Sequence, residues 1–109
     1  MKDKIKVTTK FFASLKETTK KSHVEVELPE GSMIFQLLEA LFELSIPLKE
    51  NIMGENGDLK KMIIILRNGR NIKFLDGLET TLSHGDVVAL FPPVAGGGVD
   101  REDLFISFY

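Results

Sequence analysis

The stretch VEVELPEGSMIFQLLEALFEL, Val24–Leu44, carries two different periodicities on either side of one break. Val24, Val26 and Leu28 alternate with Glu25 and Glu27, and His23 precedes them, which is the period-two pattern of a half-buried strand. Pro29-Glu30-Gly31 interrupts it, and Ser32 stands where a helix N-cap is expected. From Met33 onward the apolar positions change step. Ile34, Leu37, Leu38, Leu41 and Leu44 fall at helical spacing, while Gln36, Glu39 and Glu43 gather on the opposite side. The helix is predicted to end before Pro47, because the residue preceding a proline is driven out of the helical region. An apolar stripe this broad has to cover something, and only a sheet is large enough.

The flanking sequence supplies that sheet. Upstream, Ile5, Val7, Thr9 and Phe11 share one face and Lys4, Lys6, Thr8 and Lys10 the other, so a first strand pairs with the Val24–Leu28 strand through a polar connection, Lys16 to Ser22. Downstream, residues 48–61, with Asn56-Gly57-Asp58, read as a solvated connection. Met62–Leu66 is a continuous apolar run expected of a strand buried on both sides. Asn68-Gly69 signals a tight turn, with Ile72 and Phe74 continuing beyond it. After the turn-like Asp76–Glu79, Gly85-Asp86 opens a final strand, Val87–Phe91, which Pro92-Pro93 stops. Strand, strand, helix, strand, short strand, strand is an α+β order: a β-grasp, a mixed sheet crossed by one main helix. The expected domain is 1–95, followed by a Gly-Gly-Gly segment and an apolar extension over 96–109.

Bulk properties narrow the function. At 109 residues the chain has the length of one domain with one real core. Fourteen basic against sixteen acidic side chains argue against a nucleic-acid or anionic-membrane surface as the main business. The absence of cysteine excludes disulfides, thiolate metal sites and a cysteine nucleophile. The start alternates charge with apolar residues and lacks the apolar core of a signal peptide, and no apolar run approaches the ~18 residues of a membrane span. A cytoplasmic protein is expected.

Three blocks carry a family resemblance: VTTKFFASLKE (Val7–Glu17), ILRNGRNIKFLDGL (Ile65–Leu78) and, most specifically, LSHGDVVALFPPVAGG (Leu82–Gly97). In that order they resemble the ubiquitin-like sulfur-carrier family of the small subunit of molybdopterin synthase, with its relatives in thiamine synthesis and the archaeal modifiers. The resemblance implies a sulfur carrier for molybdenum- or tungsten-cofactor synthesis rather than an enzyme. An activating, E1-like enzyme adenylates the terminal glycine with ATP, sulfide delivered by a persulfide displaces AMP, and the resulting thiocarboxylate acts in the large synthase subunit. Carried onto this chain, Gly97 is the attachment point, and Pro92, Pro93, Val94, Ala95, Gly96 and Gly98 form the tail that partners bind. No cofactor is expected to stay bound. Gly96 and Gly97 suit a narrow tunnel because they lack Cβ, and Pro92-Pro93 stiffen the arm.

The resemblance also meets departures. Arg67 stands where an aliphatic residue is common and His84 where an acidic one is, both expected to be exposed and harmless. More consequentially, Gly97 is followed by twelve residues, so its carbonyl is an amide that cannot be adenylated. A processing protease removes residues 98–109, or the extension blocks the tail until a signal removes it, or the chain is a non-catalytic interaction module that keeps it. A modifier conjugated to lysines is a further alternative. The extension pairs a charged step, Asp100–Asp103, with the apolar Leu104–Tyr109, which reads either as a docking segment or as a merely sticky leader.

Other features have plainer readings. Three glycines alone can be a linker, and no Lys-Ser/Thr follows to make a phosphate loop. His23 and His84 are the only histidines, so no metal site is expected. Gly54–Asp58 lacks the spaced carboxylates of a calcium loop. Lys60, Lys61, Arg67, Arg70 and Lys73 read as a solvated face. Phe12, Phe74 and Phe91 are the candidate partner-binding aromatics, on the sheet face turned away from the helix, the alternative being that some of them belong to the core.

Overall fold

The computed structural model of the chain describes residues 3–92. The elements are β1 (Lys4–Phe11), α1 (Ser14–Thr19), β2 (His23–Pro29), α2 (Ile34–Leu44), α3 (Ile46–Ile52), β3 (Ile64–Arg67), β4 (Arg70–Asn71) and β5 (Val87–Phe91), with 3-10 turns at Ile72–Phe74 and Gly77–Glu79. The sheet runs β2-β1-β5-β3-β4, with β1 and β5 parallel at its centre and the other neighbours antiparallel. This is the expected β-grasp. None of the described helices is long and apolar enough to cross a membrane.

Alternation decides which side of the sheet is covered. Ile5, Val7 and Phe11 of β1, Val26 and Leu28 of β2, Ile65 of β3 and Val88 and Leu90 of β5 join Leu15, Ile34, Leu37, Leu38, Leu41, Leu48 and Ile52 in one core. The first strand and the main helix therefore fall as their periodicities require as far as Leu41, whereas Leu44, expected in the same stripe, is exposed at the helix end where the core no longer reaches it. Beside that core the hydroxyl of Thr9 is fully buried and finds no hydrogen-bond partner.

Several local expectations are corrected. Ser32 is not the N-cap. Met33 takes that position, its N–H donating to Gln36 Oε1 at 2.8 Å. The Ser32 hydroxyl instead donates to the Pro29 carbonyl at 2.6 Å, and the Ser32 carbonyl accepts from Leu82 N–H at 2.8 Å, which ties the helix start to the 80–82 segment. The connections are also less irregular than their polarity indicated. Lys16–Ser22 contains part of α1, anchored by Leu15, and 48–61 contains most of α3, anchored by Leu48 and Ile52. Ser45 caps α3 by accepting from Leu48 N–H, and Pro47 in its first turn removes an N–H that would have had no helical partner. The run Met62–Leu66 is not a strand buried on both sides. Met62 is exposed, Ile63 and Ile65 are buried, and Ile64 and Leu66 are half-buried on the other face. The strand after Asn68-Gly69 is only two residues long before the chain tightens into a 3-10 turn.

The start of β5 is fixed by a buried carboxylate. Asp86 Oδ2 accepts from Arg67 Nε at 2.8 Å and from the Ser83 N–H at 2.7 Å, and Oδ1 accepts from Asn68 Nδ2 at 2.9 Å. Asn68 also accepts at its Oδ1 from Val87 N–H and donates its own N–H to the Val87 carbonyl, both at 2.8 Å. Asn68 and Gly69 both have positive φ, 48° and 87°, the backbone that an Asn-Gly hairpin turn requires. Arg67 is therefore neither fully exposed nor harmless, since it neutralises Asp86. His84 is exposed, yet its Nδ1 accepts from the Lys6 backbone N–H at 3.1 Å.

Thr9→Val removes the unpartnered hydroxyl at nearly constant volume and is expected to stabilise by about 1 kcal/mol, read as a rise in melting temperature of roughly 4–8 °C. For Asp86, burial alone raises the carboxyl pKa, but the hydrogen bonds from Arg67, Asn68 and the Ser83 amide, with the Arg67 charge, outweigh it and hold the group below its ordinary value. A carboxyl whose native pKa lies below its unfolded one contributes stability that is complete above the unfolded pKa, ~4, and lost as pH falls through the native one. Urea melts between pH 7 and 2 should therefore show an acid limb below about pH 4 that Asp86→Asn flattens, at a cost near neutral pH of about 2 kcal/mol.

Candidate functional site

β5 is the strand that carries the chain toward the glycines. It lies between β1 and β3, and its last pairings place Leu90 opposite Phe11 and Ile65, and Phe91 opposite Ile64. Beyond the strand ladder, Phe12 N–H donates to the Leu90 carbonyl at 3.2 Å. Pro92 is buried at the end of this strand. Pro92 is thus the one predicted tail residue that is described, and Pro93, Val94, Ala95, Gly96, Gly97 and Gly98 lie outside the described residues.

The rings of Phe12 and Phe91 stack with centroids 4.4 Å apart and planes 8° from parallel. Immediately after Phe12, Ala13 has φ 53° and ψ −130°, a conformation costly for any residue with a Cβ. The turn aims the chain so that Leu15 enters the core.

The face away from the helices is divided in two. Register places Lys4, Lys6, Thr8 and Lys10 of β1 beside His23, Glu25 and Glu27 of β2, with Lys4 and Glu27 3.7 Å apart on the surface. Val87, Ala89 and Phe91 of β5 lie beside Ile64 and Leu66 of β3 on the same face. One half is charged and the other apolar, and α1, α2 and α3 contribute their buried side chains to the core on the opposite side. Such a surface can seat a partner through apolar burial and orient it through charge.

The three aromatic candidates do not form one cluster. Phe12 is half-buried and covers Phe91, which is buried, so Phe91 supports the surface from beneath instead of presenting itself to a partner. Phe74 is 85% exposed in the 3-10 turn after β4, on the far side of the sheet from β1. Ile64 and Leu66, expected in a run buried on both sides, are instead the half-buried apolar side chains that this face offers alongside Phe12. The signal was present in the alternation of Ile63, Ile64, Ile65 and Leu66, but four consecutive apolar residues hide a period of two.

Elsewhere the described residues contain no group of three or more His, Asp or Glu side chains arranged to hold a metal. The Gly54–Asp58 segment is a closed turn, with Gly54 N–H donating to the Asp58 carbonyl at 2.7 Å and Gly57 N–H to the Gly54 carbonyl at 3.1 Å.

Comparison with known proteins agrees with this geometry. The model of the ThiS family matches residues 9–97. Small archaeal modifier protein 3 of Haloferax volcanii is 33% identical over 88 residues, 81% of this chain and 95% of that protein. A candidate sulfur carrier protein of Archaeoglobus fulgidus is 40% identical over 68 residues, 62% of this chain and 77% of its own length. Among solved structures, the crystal structure of SAMP1 from Haloferax volcanii superposes with a TM-score of 0.77 at 33% identity, covering 84% of this chain and 99% of that one. A candidate molybdopterin converting factor, subunit 1, of Pyrococcus furiosus gives 0.67 at 32% identity, covering 83% and 99%. With a match that runs from the middle of β1 through the strand leading to the glycines, this chain belongs to the ThiS family and has its ubiquitin-like β-grasp fold.

Proposed function

We propose that this chain carries sulfur as a thiocarboxylate on Gly97 for synthesis of a molybdenum or tungsten cofactor, after removal of residues 98–109. One observation carries the reading: the central strand β5, anchored at Asp86 and paired on both sides, ends at Phe91 and is followed by the buried Pro92, five residues short of Gly97. Five extended residues span at most about 17 Å, enough for a terminal group to enter a partner's site while the domain stays outside. The family match ending at Gly97 supports that residue as the working terminus.

In this scheme a protease first frees the Gly97 carboxylate. The activating enzyme converts it with ATP to an acyl adenylate and pyrophosphate, the terminal sulfur of a partner's persulfide displaces AMP to give an acyl disulfide, and a second partner thiol reduces that disulfide to release the thiocarboxylate. The thiocarboxylate is then the nucleophile in the large synthase subunit. This chain supplies a rigid base, a narrow arm and a docking face, while ATP, the catalytic groups and the persulfide belong to its partners. The charged half of the open face orients those partners, and Phe12, Ile64 and Leu66 provide the apolar contact.

A modifier reading has its own support in the relative named small archaeal modifier protein 3, similar over 95% of that protein's length. There the same adenylate ends in an amide bond to a lysine. The two diverge in one observable: a modifier leaves a ladder of conjugates in host lysate that disappears when Gly97 is altered, whereas a carrier does not.

The intact mass of the protein from its native host should correspond to a chain ending at Gly97, with some molecules having one oxygen replaced by sulfur. A chain found only with Tyr109 at its end would exclude the scheme. On the docking face, Leu66→Glu should weaken binding to the activating enzyme or the large subunit at least tenfold, equivalent to about 1.4 kcal/mol. Its melting temperature should move by only a few degrees, because Leu66 is half-buried on the face outside the core. Unchanged binding in calorimetry would remove this face from the interface.

A further inference from the structure

We propose that the apolar segment Leu104–Tyr109 docks back onto its own domain, in the groove where α2 ends, and so holds the glycines in a closed loop until the extension is cut. The groove has a volume of about 130 Å³ and is lined by the apolar Phe11, Val24, Leu41, Leu44 and Leu48 together with Thr19, Lys21 and Ser45. Ligand pockets are commonly ~300–1,000 Å³. This groove instead has room for one large apolar side chain, the scale at which a peptide anchors. Leu44 lines it while remaining 70% exposed, and the neighbouring Ile46 is exposed to the same extent. Neither takes part in the sheet face described above.

Position, length and charge favour the chain's own extension as the occupant. β5 runs parallel to β1 and pairs Leu90 with Phe11, so the chain leaves the sheet at the end where the groove opens, and Phe11 lines that groove. Residues 93–103 make an eleven-residue tether that can reach roughly 36–40 Å when extended. Loop closure over so few residues carries only a modest entropic penalty. Five of the six residues in Leu104–Tyr109 are apolar. The step before them, Asp100-Arg101-Glu102-Asp103, has three acidic side chains and one basic. Beside the groove the α1–β2 corner gathers the exposed Lys16, Lys20 and Lys21 with a single acid, Glu17. Apolar residues thus meet apolar residues, and the acidic step meets lysines.

The docking stands on these features alone, and only its consequence rests on the carrier reading. With the hexapeptide seated, Gly97 lies near the middle of a loop held at both ends, and it cannot extend into a partner's tunnel. Cleavage after Gly97 would remove the clamp and create the carboxylate in one step, so that the full-length chain is a latent form.

The test uses the full-length chain, whose lack of cysteine makes a single nitroxide at Ser107→Cys unambiguous. In nitrogen-15 spectra the label should broaden the amides of Val24, Leu41, Leu44 and Leu48 most strongly. Leu44→Asp in the labelled chain should reduce that broadening several-fold with the rest of the spectrum unchanged, because Leu44 is exposed and its loss leaves the core intact. Charge reversal at Lys20 and Lys21 should reduce it in the same direction. Strongest broadening at Leu66 and Val87 would assign the segment to the open sheet face and overturn the proposal. So would broadening that appears only between labelled and nitrogen-15 copies, which would mean a second molecule, or broadening that Leu44→Asp leaves unaltered. Any of these results leaves the mass measurement, and with it the carrier reading, to be decided separately.

Discussion

The arrangement of this domain depends on a carboxylate taken out of water. Asp86 is 6% exposed, and an unpaired charge there would cost several kcal/mol, roughly what holds a small domain folded. It is tolerated because three donors close on it, and those donors come from two places: Arg67 at the end of β3 with Asn68 in the turn that follows, and the Ser83 amide from the turn before β5. None of these turns can move without stranding the charge. The register of β5 is fixed at its start, and register is a discrete matter. A slip of one residue would turn Val88 and Leu90 out of the core and Val87 and Ala89 into it.

What is fixed at the start of β5 is inherited at its end. The strand pairs with β1 on one side and β3 on the other, so the position of Asp86 determines where Pro92 leaves the sheet. The two faces then divide the remaining work. One is given over to the helices and the core, including the tie between Ser32 and Leu82 that holds the start of α2. The other keeps a charged half and an apolar half beside the exit. The buried Phe91 under Phe12 stiffens this second face where the arm begins, because a stacked aromatic pair buries area that a lone exposed ring would leave in water.

Much of this was legible in the sequence wherever one physical signal acted alone. The alternation in β1 and β2 and the helical stripe of α2 each report burial on one side, and Asn68-Gly69 reports a backbone that few other residues adopt. The glycines and prolines beyond Phe91 carried the family resemblance, and the match over residues 9–97 agrees with it. The misreadings arose where two signals overlapped or the partner was distant. Four apolar residues in a row, Ile63 to Leu66, conceal their alternation. Helix α1 has six residues and no side-chain cap, so it exists because Leu15 packs in the core, and nothing local announces it. Helix α3 is partly legible, since Ser45 and Pro47 are start signals, but Pro47 is equally a stop for α2, and the sequence does not separate the two roles. Arg67 lies nineteen positions from Asp86, and no local pattern reveals that pair.

A strongly held ionisable group is often a pointer to chemistry, because active sites are where burial and partner charges shift pKa values most. Here that inference would mislead. Asp86 is held below its ordinary pKa, yet its carboxylate oxygens are occupied by three donors, and the five residues of β5 separate it from Pro92, a rise of about 20 Å over six steps. A carboxylate so occupied has no proton to exchange with a substrate and no reach toward the glycines. Its perturbation is the signature of an anchor. The chemistry proposed for Gly97 needs from this chain a main chain narrow enough to be inserted and a base firm enough to aim it, and the first of those is a property of residues with almost no side chain at all. On that proposal, the residue with conspicuous electrostatics holds the far end of the strand, and the glycines that would meet the substrate have nothing to titrate until a terminus is made.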